Sequence, residues 1–227
     1  MRHEKLWVFA VLPIAVINLG MMFSIGTYFA LAATQPALVA GFGQGQLSFA
    51  LSMFICIVEW SFAGALIRRI GWTGARNLVS PNSSLWKFRR LSALLVFIVL
   101  NGIFAAYIAF TIWTQGSWYR IDGLAGWQKI VMLTFLPFTA GFCEELIWRG
   151  YIFTQLETRS YGLVKAIVLS AISFALIHGI TLPDKLLTTF SFGIVAGLYY
   201  AKERNLIPLM TTHIVMDVWS FGLSIFS

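Results

Sequence analysis

Long apolar runs alternate along the chain with short polar, charged or Gly- and Pro-rich breaks. A transmembrane helix needs about 20 mostly apolar residues. The runs therefore predict an all-α, polytopic membrane protein with about seven transmembrane helices. The predicted spans are residues 6–33, 47–67, 91–114, 128–153, 163–180, 186–201 and 206–226. We expect a single integral membrane domain over residues 1–227, with a core region at about 128–226, and close helix packing at Gly193-x-x-x-Gly197.

The composition supports a membrane protein. Hydrophobic residues make up 59% of the chain and charged residues 11%, with a mean hydropathy of +0.80. Because an average soluble domain has roughly 25% charged residues, an ordinary soluble enzyme is excluded. The net charge of +7 is not accompanied by basic residues clustered with exposed aromatic residues, as nucleic-acid binding requires. We expect the lipid bilayer as a partner and no nucleic acid.

The distribution of basic residues predicts an orientation. With the N-terminus inside, only Arg120, Lys129 and Lys185 lie outside. Cytoplasmic loops are enriched in Lys and Arg, so the bias favours N-terminus in and C-terminus out. The short length of the chain favours a small prokaryotic member, so we expect the cytoplasmic (inner) membrane. The predicted inner set is Arg2, Lys5, Arg68, Arg69, Arg76, Lys87, Arg89, Arg90, Arg149, Arg159, Lys165, Lys202 and Arg204. The aromatic residues predicted to anchor the outer interface are Trp118, Tyr119 and Trp127.

A few ionisable residues fall inside the apolar runs. Such a side chain costs at least about 2.5–3.5 kcal/mol at bilayer depth, so each needs a partner or a function. They are Glu59, Glu144, Glu145, Arg149, His178, His213 and Asp217. All except the arginine are acids or imidazoles, the groups that transfer protons. Glu59 has no evident partner in the sequence, and both a hydrogen-bonded buried acid and a cavity-wall residue fit it.

The segment Glu-Glu-x-x-x-Arg combines a candidate base with a candidate ion pair. Glu145 and Arg149 stand at i and i+4 on one helix face, where an ion pair can form. Glu144 points about 100° away around the helix and can face a cavity. Glu144 is therefore a candidate general base, although all three side chains can also form one packing network.

Two other i, i+4 pairs lie on later spans. Phe174 and His178 share one helix face, as do His213 and Asp217. A lone buried histidine is more often a hydrogen-bonded core residue than a catalyst. However, both histidines and the Glu-Glu pair fall in the C-terminal half, so we expect three helices to converge on one water-filled pocket.

The three motifs together resemble those of the CPBP family of intramembrane proteases, also called the Abi family. This family contains prenyl-protein CAAX endopeptidases and bacteriocin-processing or self-immunity proteins. Its motifs Glu-Glu-x-x-x-Arg, Phe-x-x-x-His and His-x-x-x-Asn/Asp occur here in order. The matching residues are Glu144, Glu145, Arg149, Phe174, His178, His213 and Asp217.

The resemblance implies an intramembrane endopeptidase that acts on a peptide or protein at the membrane, or on a C-terminal tail. By analogy, Glu144 and His178 activate a water, while His213 and Asp217 lie near the developing oxyanion. An ionised Asp217 cannot donate a hydrogen bond, so Asp217 must either be protonated or act by orienting the ring of His213, and we expect the second role. The expected supporting residues are Glu145, Arg149 and Phe174.

Zinc is the main mechanistic alternative. Glu144, His178 and His213 can supply the three protein ligands of a catalytic zinc site. The chain has no His-Glu-x-x-His segment, which favours a metal-free mechanism without a cofactor. Counting about 1.5 Å per residue places His178 near the outer face and His213 near the inner face. For the two to meet, either one helix is tilted or broken, or the ends of the predicted spans are shifted.

Two other functions are alternatives to proteolysis. A non-proteolytic family member can act in immunity to a peptide toxin or as a membrane scaffold. A proton-coupled transporter uses the same residue types, but the absence of repeat symmetry disfavours it. Neither the substrate sequence nor the oligomeric state is predicted.

Overall fold

The protein is a bundle of helices. The structure, a computed structural model, describes residues 6–39, 42–80, 89–180 and 182–226. Its α-helices are α1 Leu6–Thr34, α2 Pro36–Val39, α3 Gln44–Val79, α4 Arg90–Gln115, α5 Gly126–Glu144, α6 Thr154–Leu156, α7 Leu163–Ile177, α8 Pro183–Glu203 and α9 Ile207–Phe226. Two π-helical segments, Glu145–Phe153 and Glu157–Tyr161, flank α6. No strand occurs within these described ranges, so the predicted all-α class is confirmed.

Five helical stretches are long and apolar enough to cross a membrane. They are Leu6–Thr34, Gln44–Val79, Arg90–Gln115, Gly126–Arg159 and Ile207–Phe226. The other two predicted spans correspond to α7, which has 15 residues, and to α8, which has 21 residues but is not among the five. The predicted polytopic membrane architecture is thus confirmed. Five of the seven predicted spans are long and apolar enough to cross a membrane.

The outer surface of the bundle is rich in large apolar side chains. The side chains of Phe23, Trp72 and Trp113 are 77%, 71% and 81% exposed. Soluble monomers rarely expose extensive apolar patches, whereas hydrocarbon tails accept them. The polar residues of the apolar runs instead point inward, and Glu59, Glu144, Glu145 and Arg149 are all buried.

The helix α3 has a break near its C-terminal end. At Gly71 the backbone has φ 75° and ψ 163°, outside the helical region. A positive φ of this kind is readily adopted by glycine because it has no Cβ. The longer part of α3, before Gly71, packs against α5 and carries Glu59 into the bundle.

Small residues bring α7 and α8 together. A Cβ added to Gly193 would lie 2.8 Å from the Cβ of Ala171, and one added to Gly197 would lie 3.1 Å from Ile167. Glycine at these positions lets the two helices approach closely. The close packing predicted from Gly193-x-x-x-Gly197 is therefore confirmed.

Part of the predicted topology signal is not described structurally. Of the basic residues predicted to lie inside, Arg2, Lys5 and Lys87 fall outside the described residues. Trp127 and Tyr119 are 61% and 41% exposed, as interfacial anchors should be. Trp118 is only 7% exposed, so its predicted anchoring role is wrong.

Candidate active site

A cavity of about 320 Å³ opens between the helices. This volume is at the lower end of the range typical of ligand-binding pockets, about 300–1,000 Å³. The polar side chains in its wall include Glu59, Glu144, Lys185, His178, His213 and Asp217. Its apolar wall includes Ile17, Met21, Ile103, Phe104, Tyr107 and Trp118. The two motif histidines, Asp217 and Glu144 thus converge on one pocket, as the sequence predicts.

Glu144 ends α5 at the point where the helix becomes π-helical. All nine residues of the π-helical segment Glu145–Phe153 are buried. π-helical turns are rare in proteins, and those that occur are often at functional sites. No pattern in the sequence predicted this change of helix type.

Glu145 makes two contacts through one oxygen. Its Oε1 lies 3.2 Å from Arg149 Nη1 and 2.9 Å from His213 Nδ1. The i, i+4 ion pair with Arg149 is the one that the spacing predicts. The contact with His213 joins α9 to the start of the π-helical segment, so Glu145 holds the imidazole as well as the guanidinium.

Arg149 is enclosed by aromatic rings. Its guanidinium carbon lies 3.8 Å from the ring centroid of Phe174 and 5.1 Å from that of Phe192. The Phe174 and Phe192 rings are stacked with their centroids 5.6 Å apart, and the Phe192 centroid is 5.1 Å from that of His213. Cation–π contacts are stronger when desolvated, and Arg149 is only 1% exposed. The three predicted supporting residues are therefore in one contact network with His213.

Glu144 faces both imidazoles. Its Oε2 lies 3.7 Å from His178 Nε2 and 3.6 Å from His213 Nε2. The same oxygen is buried and has no hydrogen-bond partner in the described part of the protein. These separations exceed direct hydrogen-bonding distance, so the three atoms surround a point that a small polar group can occupy.

The ring of His178 is held by its own helix. Its Nδ1 is 3.0 Å from the carbonyl oxygen of Phe174, and the two rings lie 4.6 Å apart between centroids. A carbonyl only accepts hydrogen bonds, so Nδ1 carries the proton and the Nε2 of the neutral ring is an acceptor toward the cavity. The predicted i, i+4 stacking is confirmed.

The two histidines meet although counting along the sequence places them at different depths. His178 follows the 15-residue helix α7, which is about 22 Å long and shorter than the roughly 30 Å hydrocarbon core. His213 lies in the second turn of α9. The Nε2 atoms of His178 and His213 lie 3.7 and 3.6 Å from the same atom, Glu144 Oε2.

Asp217 does not hold His213 as predicted. Its Oδ2 lies 3.9 Å from His213 Nε2, too far for a hydrogen bond. The partner that orients the ring is Glu145, which approaches the other nitrogen, Nδ1. The prediction that Asp217 orients His213 is thus wrong geometrically, although Asp217 lines the cavity beside it.

Glu59 and Trp118 belong to the site although the motifs do not include them. Glu59 is 3% exposed and lines the same cavity as Glu144. The indole of Trp118 donates to Ser224 Oγ at 3.1 Å and packs edge-on against Phe104, closing the cavity wall. Glu59 stands out in the sequence because it is an ionisable residue in an apolar run. Nothing in the sequence distinguishes Trp118 from an interfacial tryptophan.

Hydrogen bonds fix the helices around the site. The Trp148 indole donates to Ser173 Oγ at 3.0 Å, and that hydroxyl donates to the carbonyl of Ala10 at 2.6 Å. The Ser170 hydroxyl donates to the carbonyl of Trp148 at 2.7 Å. These bonds tie α1 and α7 to the π-helical segment and limit the movement of Glu145 and Arg149.

The zinc alternative depends on the arrangement of these same side chains. Within the described ranges, no group of three or more His, Cys, Asp or Glu side chains is arranged so that it could hold a metal ion. The proposed zinc ligands Glu144, His178 and His213 line one cavity but do not form such a group.

Comparison with known proteins places the site within a family region. Residues 126–219 match the family model described as type II CAAX prenyl endopeptidase Rce1-like. The chain is also 32% identical over 132 residues to UPF0177 protein YvdC of Lactococcus lactis subsp. lactis (strain IL1403). That alignment covers 56% of this chain and 47% of the relative, so it spans about half of the relative's length. No solved structure matches the chain.

The family region coincides with the polar side of the cavity. It begins with α5 and ends within α9, and it contains Glu144, His178, His213 and Asp217. Glu59, on α3, lies outside it. The resemblance predicted from the three motifs is confirmed, since residues 126–219 are similar to the Rce1-like family of type II CAAX prenyl endopeptidases, as expected of a CPBP-type protein.

Proposed function

We propose that this protein is a glutamic intramembrane endopeptidase. The observation that carries the proposal is the buried Oε2 of Glu144, which faces the Nε2 atoms of His178 and His213 at 3.7 and 3.6 Å. A carboxylate beside two imidazoles in a cavity among membrane-length helices has the parts that water-mediated hydrolysis requires. The family match supports the same reaction class.

The first step uses Glu144 and His178. A water between them donates one hydrogen bond to Glu144 Oε2 and the other to the acceptor nitrogen Nε2 of His178. Glu144 takes a proton from the water while the water oxygen forms a bond with the scissile carbonyl carbon. His178 keeps its proton on Nδ1, so its contribution is to orient the nucleophile.

The second group of residues stabilises the oxyanion. Glu145, Glu144 and Asp217 place carboxylate oxygens within 4 Å of the ring nitrogens of His213, which favours the imidazolium. The Nδ1–H of His213 donates to Glu145, which leaves the Nε2–H of His213 to donate to the developing oxyanion. The tetrahedral intermediate then collapses, the C–N bond breaks, and Glu144 returns its proton to the leaving amine.

The substrate is proposed to be a membrane-associated peptide or a C-terminal tail. The apolar wall that includes Ile103, Phe104 and Tyr107 suits apolar side chains next to the scissile bond. The family match, which names prenyl endopeptidases, makes a prenylated tail one candidate. We further propose an inner-membrane location with the N-terminus inside, because the basic residues favour that orientation.

The test is cleavage of a quenched peptide library by detergent-purified protein. We expect Glu144→Gln to abolish cleavage, because the amide keeps the size of the side chain but cannot accept a proton. The matched control is Glu203→Gln, which makes the same change on α8 away from the cavity and should leave cleavage intact. Turnover by Glu144→Gln equal to that of the wild type would refute the proposal.

The same assay separates the alternatives. Cleavage that persists with a zinc chelator supports the metal-free mechanism, and cleavage lost on chelation would assign Glu144, His178 and His213 to zinc. A wild type that cleaves no peptide, with a toxin-immunity phenotype that survives Glu144→Ala, would favour the non-proteolytic function.

A further inference from the structure

Lys185 is a charged residue of the cavity that the mechanism above does not use. It lies in the first turn of α8, is half-buried and forms part of the cavity wall. Among the described residues that line the cavity, it is the only lysine or arginine. Placing an ammonium group among apolar side chains costs free energy, so such a lysine needs a partner or a function.

The protein itself does not supply an ion-pair partner for Lys185. In the part of the chain that the structure describes, no carboxylate pairs with its ammonium group. Glu144 and Asp217 line the same cavity but approach His213 instead. Asp184 is in the same helical turn and does not line the cavity. The positive charge of Lys185 is therefore available to a ligand.

Several neutral polar residues of the cavity wall are already engaged. The hydroxyls of Thr188 and Thr189 donate to backbone carbonyls of their own helix at 2.9 and 2.8 Å. The phenol oxygens of Tyr107 and Tyr119 lie 3.4 Å from each other. The ammonium group of Lys185 has three N–H donors and a full charge, so it is the group of this wall best suited to hold an anion.

The position of Lys185 in its helix favours an anion further. The helix α8 has 21 residues and begins at Pro183, so Lys185 is its third residue. The N-terminal end of a helix carries a partial positive charge, and a lysine there adds to it. Asp184 offsets part of this charge from outside the cavity. A negative group inside the cavity is attracted both by the ammonium group and by the end of the helix.

The rest of the wall limits the chemistry of the anion. Ile17, Met21, Ile103 and Phe104 line the same cavity. An apolar wall with one lysine suits a ligand that is apolar along its length and has a single negative charge. An apolar peptide tail is such a ligand, because its terminal carboxyl group is ionised at neutral pH whatever its side chains are. An internal segment of the same composition has no such charge.

We propose that Lys185 is a specificity-determining residue that binds the terminal carboxylate of the substrate. The ion pair holds the tail by its end, so that cleavage falls near a free C-terminus rather than within a longer segment. This inference rests on the proposed function, because it concerns the substrate of the same cavity. It narrows the two proposed substrate classes to one, the C-terminal tail.

The first test measures binding in the Glu144→Gln protein, which we expect not to cleave. Two fluorescent apolar peptides of identical sequence are compared, one with a free C-terminal carboxylate and one with a C-terminal amide. We expect the free acid to have a Kd at least about tenfold lower, because the amide loses a charge-assisted contact. Adding Lys185→Gln should bring the ratio of the two Kd values close to one. Equal binding of the two peptides when Lys185 is present, or binding of neither, would overturn the inference.

The matched control is Lys202→Gln, which removes the same charge from α8 away from the cavity and should leave the ratio unchanged. A purely structural effect of Lys185→Gln weakens both peptides equally, so it does not alter the ratio. A third peptide, with aspartate as its last residue and a C-terminal amide, distinguishes a terminal carboxylate from a side-chain one. Binding of this peptide as tight as that of the free acid would refute recognition of the terminus.

The second test reverses the charge. Lys185→Glu should prefer a peptide whose C-terminus is an aminoethyl amide, which is a cation, over the free acid. A variant that still prefers the free acid would show that the selecting charge lies elsewhere.

The two proposals fail in different ways. If Glu144→Gln retains full turnover, the proposed base is wrong, and the ratio of kcat/KM for the free acid and the amide then tests Lys185 instead. If Glu144→Gln is inactive and the two peptides bind equally, the proposed function stands and the inference about Lys185 is wrong.

Discussion

At the scale of single residues, contacts within one helix were predictable and contacts between helices were not. The pairs Glu145–Arg149 and Phe174–His178 follow from the i, i+4 geometry of a helix, and both are present. The bond from Glu145 to His213 joins residues 68 positions apart, so no local pattern contains it. The i, i+4 spacing therefore suggests Asp217 as the partner of His213, whereas the closer carboxylate is that of Glu145, on another helix.

The contact between Glu145 and Arg149 makes a prediction about stability. Arg149→Met removes one of the two partners of the buried Glu145 carboxylate and leaves it only His213, and we expect a loss of about 3–5 kcal/mol. Adding Glu145→Gln removes the carboxylate charge that Arg149 balanced and should recover part of that loss. Thermal unfolding in detergent measures both variants, and a double variant no more stable than Arg149→Met would contradict this role of the pair.

The position of Asp217 makes a prediction about catalysis. Because its carboxylate lies 3.9 Å from His213 Nε2, Asp217→Asn should lower kcat by less than about tenfold, or about 1.4 kcal/mol. Steady-state kinetics on one cleaved peptide measures the change. A fall of about a thousandfold or more would restore the orienting role expected from the sequence.

At the scale of elements, the positions of the helices were predictable but their form was not. Apolar runs define where the helices lie, because a segment inside the membrane must hydrogen-bond its own backbone polar groups and a helix does so. The predicted span 128–153 becomes α5 and the π-helical segment Glu145–Phe153, and the predicted span 163–180 becomes the short α7. Hydropathy depends on composition, so it does not report helix type or the depth at which a helix ends.

The packing of α7 on α8 makes a prediction at this scale. Gly193→Ala places a Cβ 2.8 Å from that of Ala171, so the helices must move apart, and we expect a lower unfolding temperature and reduced turnover. The matched control is Gly102→Ala on α4, where nothing lies within 4 Å and alanine favours the helix. Equal unfolding temperatures for the two variants would show that this approach is not tight.

At the scale of the whole molecule, one part of the candidate site carries sequence motifs and the other part carries none. The motif residues lie within residues 126–219, and the sequence predicted that they meet. The opposite wall comes from α1, α3, α4 and the segment around Trp118, where apolar residues follow no motif. This wall could not be predicted, because any apolar residue can face either lipid or a cavity.

The proposed orientation makes a prediction for the whole molecule. With the N-terminus inside, a cysteine at Ser117→Cys should react with a membrane-impermeant reagent added to intact cells. A cysteine at Lys202→Cys should react only after permeabilisation. The native thiols of Cys56 and Cys143 are buried and should not react with the reagent in either case. The reverse pattern would place the N-terminus outside.

The central claim is that Glu144 is the general base, and the most direct test is the kcat of Glu144→Gln on a peptide that the wild type cleaves. General-base catalysis contributes about 10²–10⁴-fold, so we predict that kcat falls by at least about 100-fold. The unfolding temperature should stay close to that of the wild type. A folded Glu144→Gln protein whose kcat is within about tenfold of the wild-type value would contradict the claim.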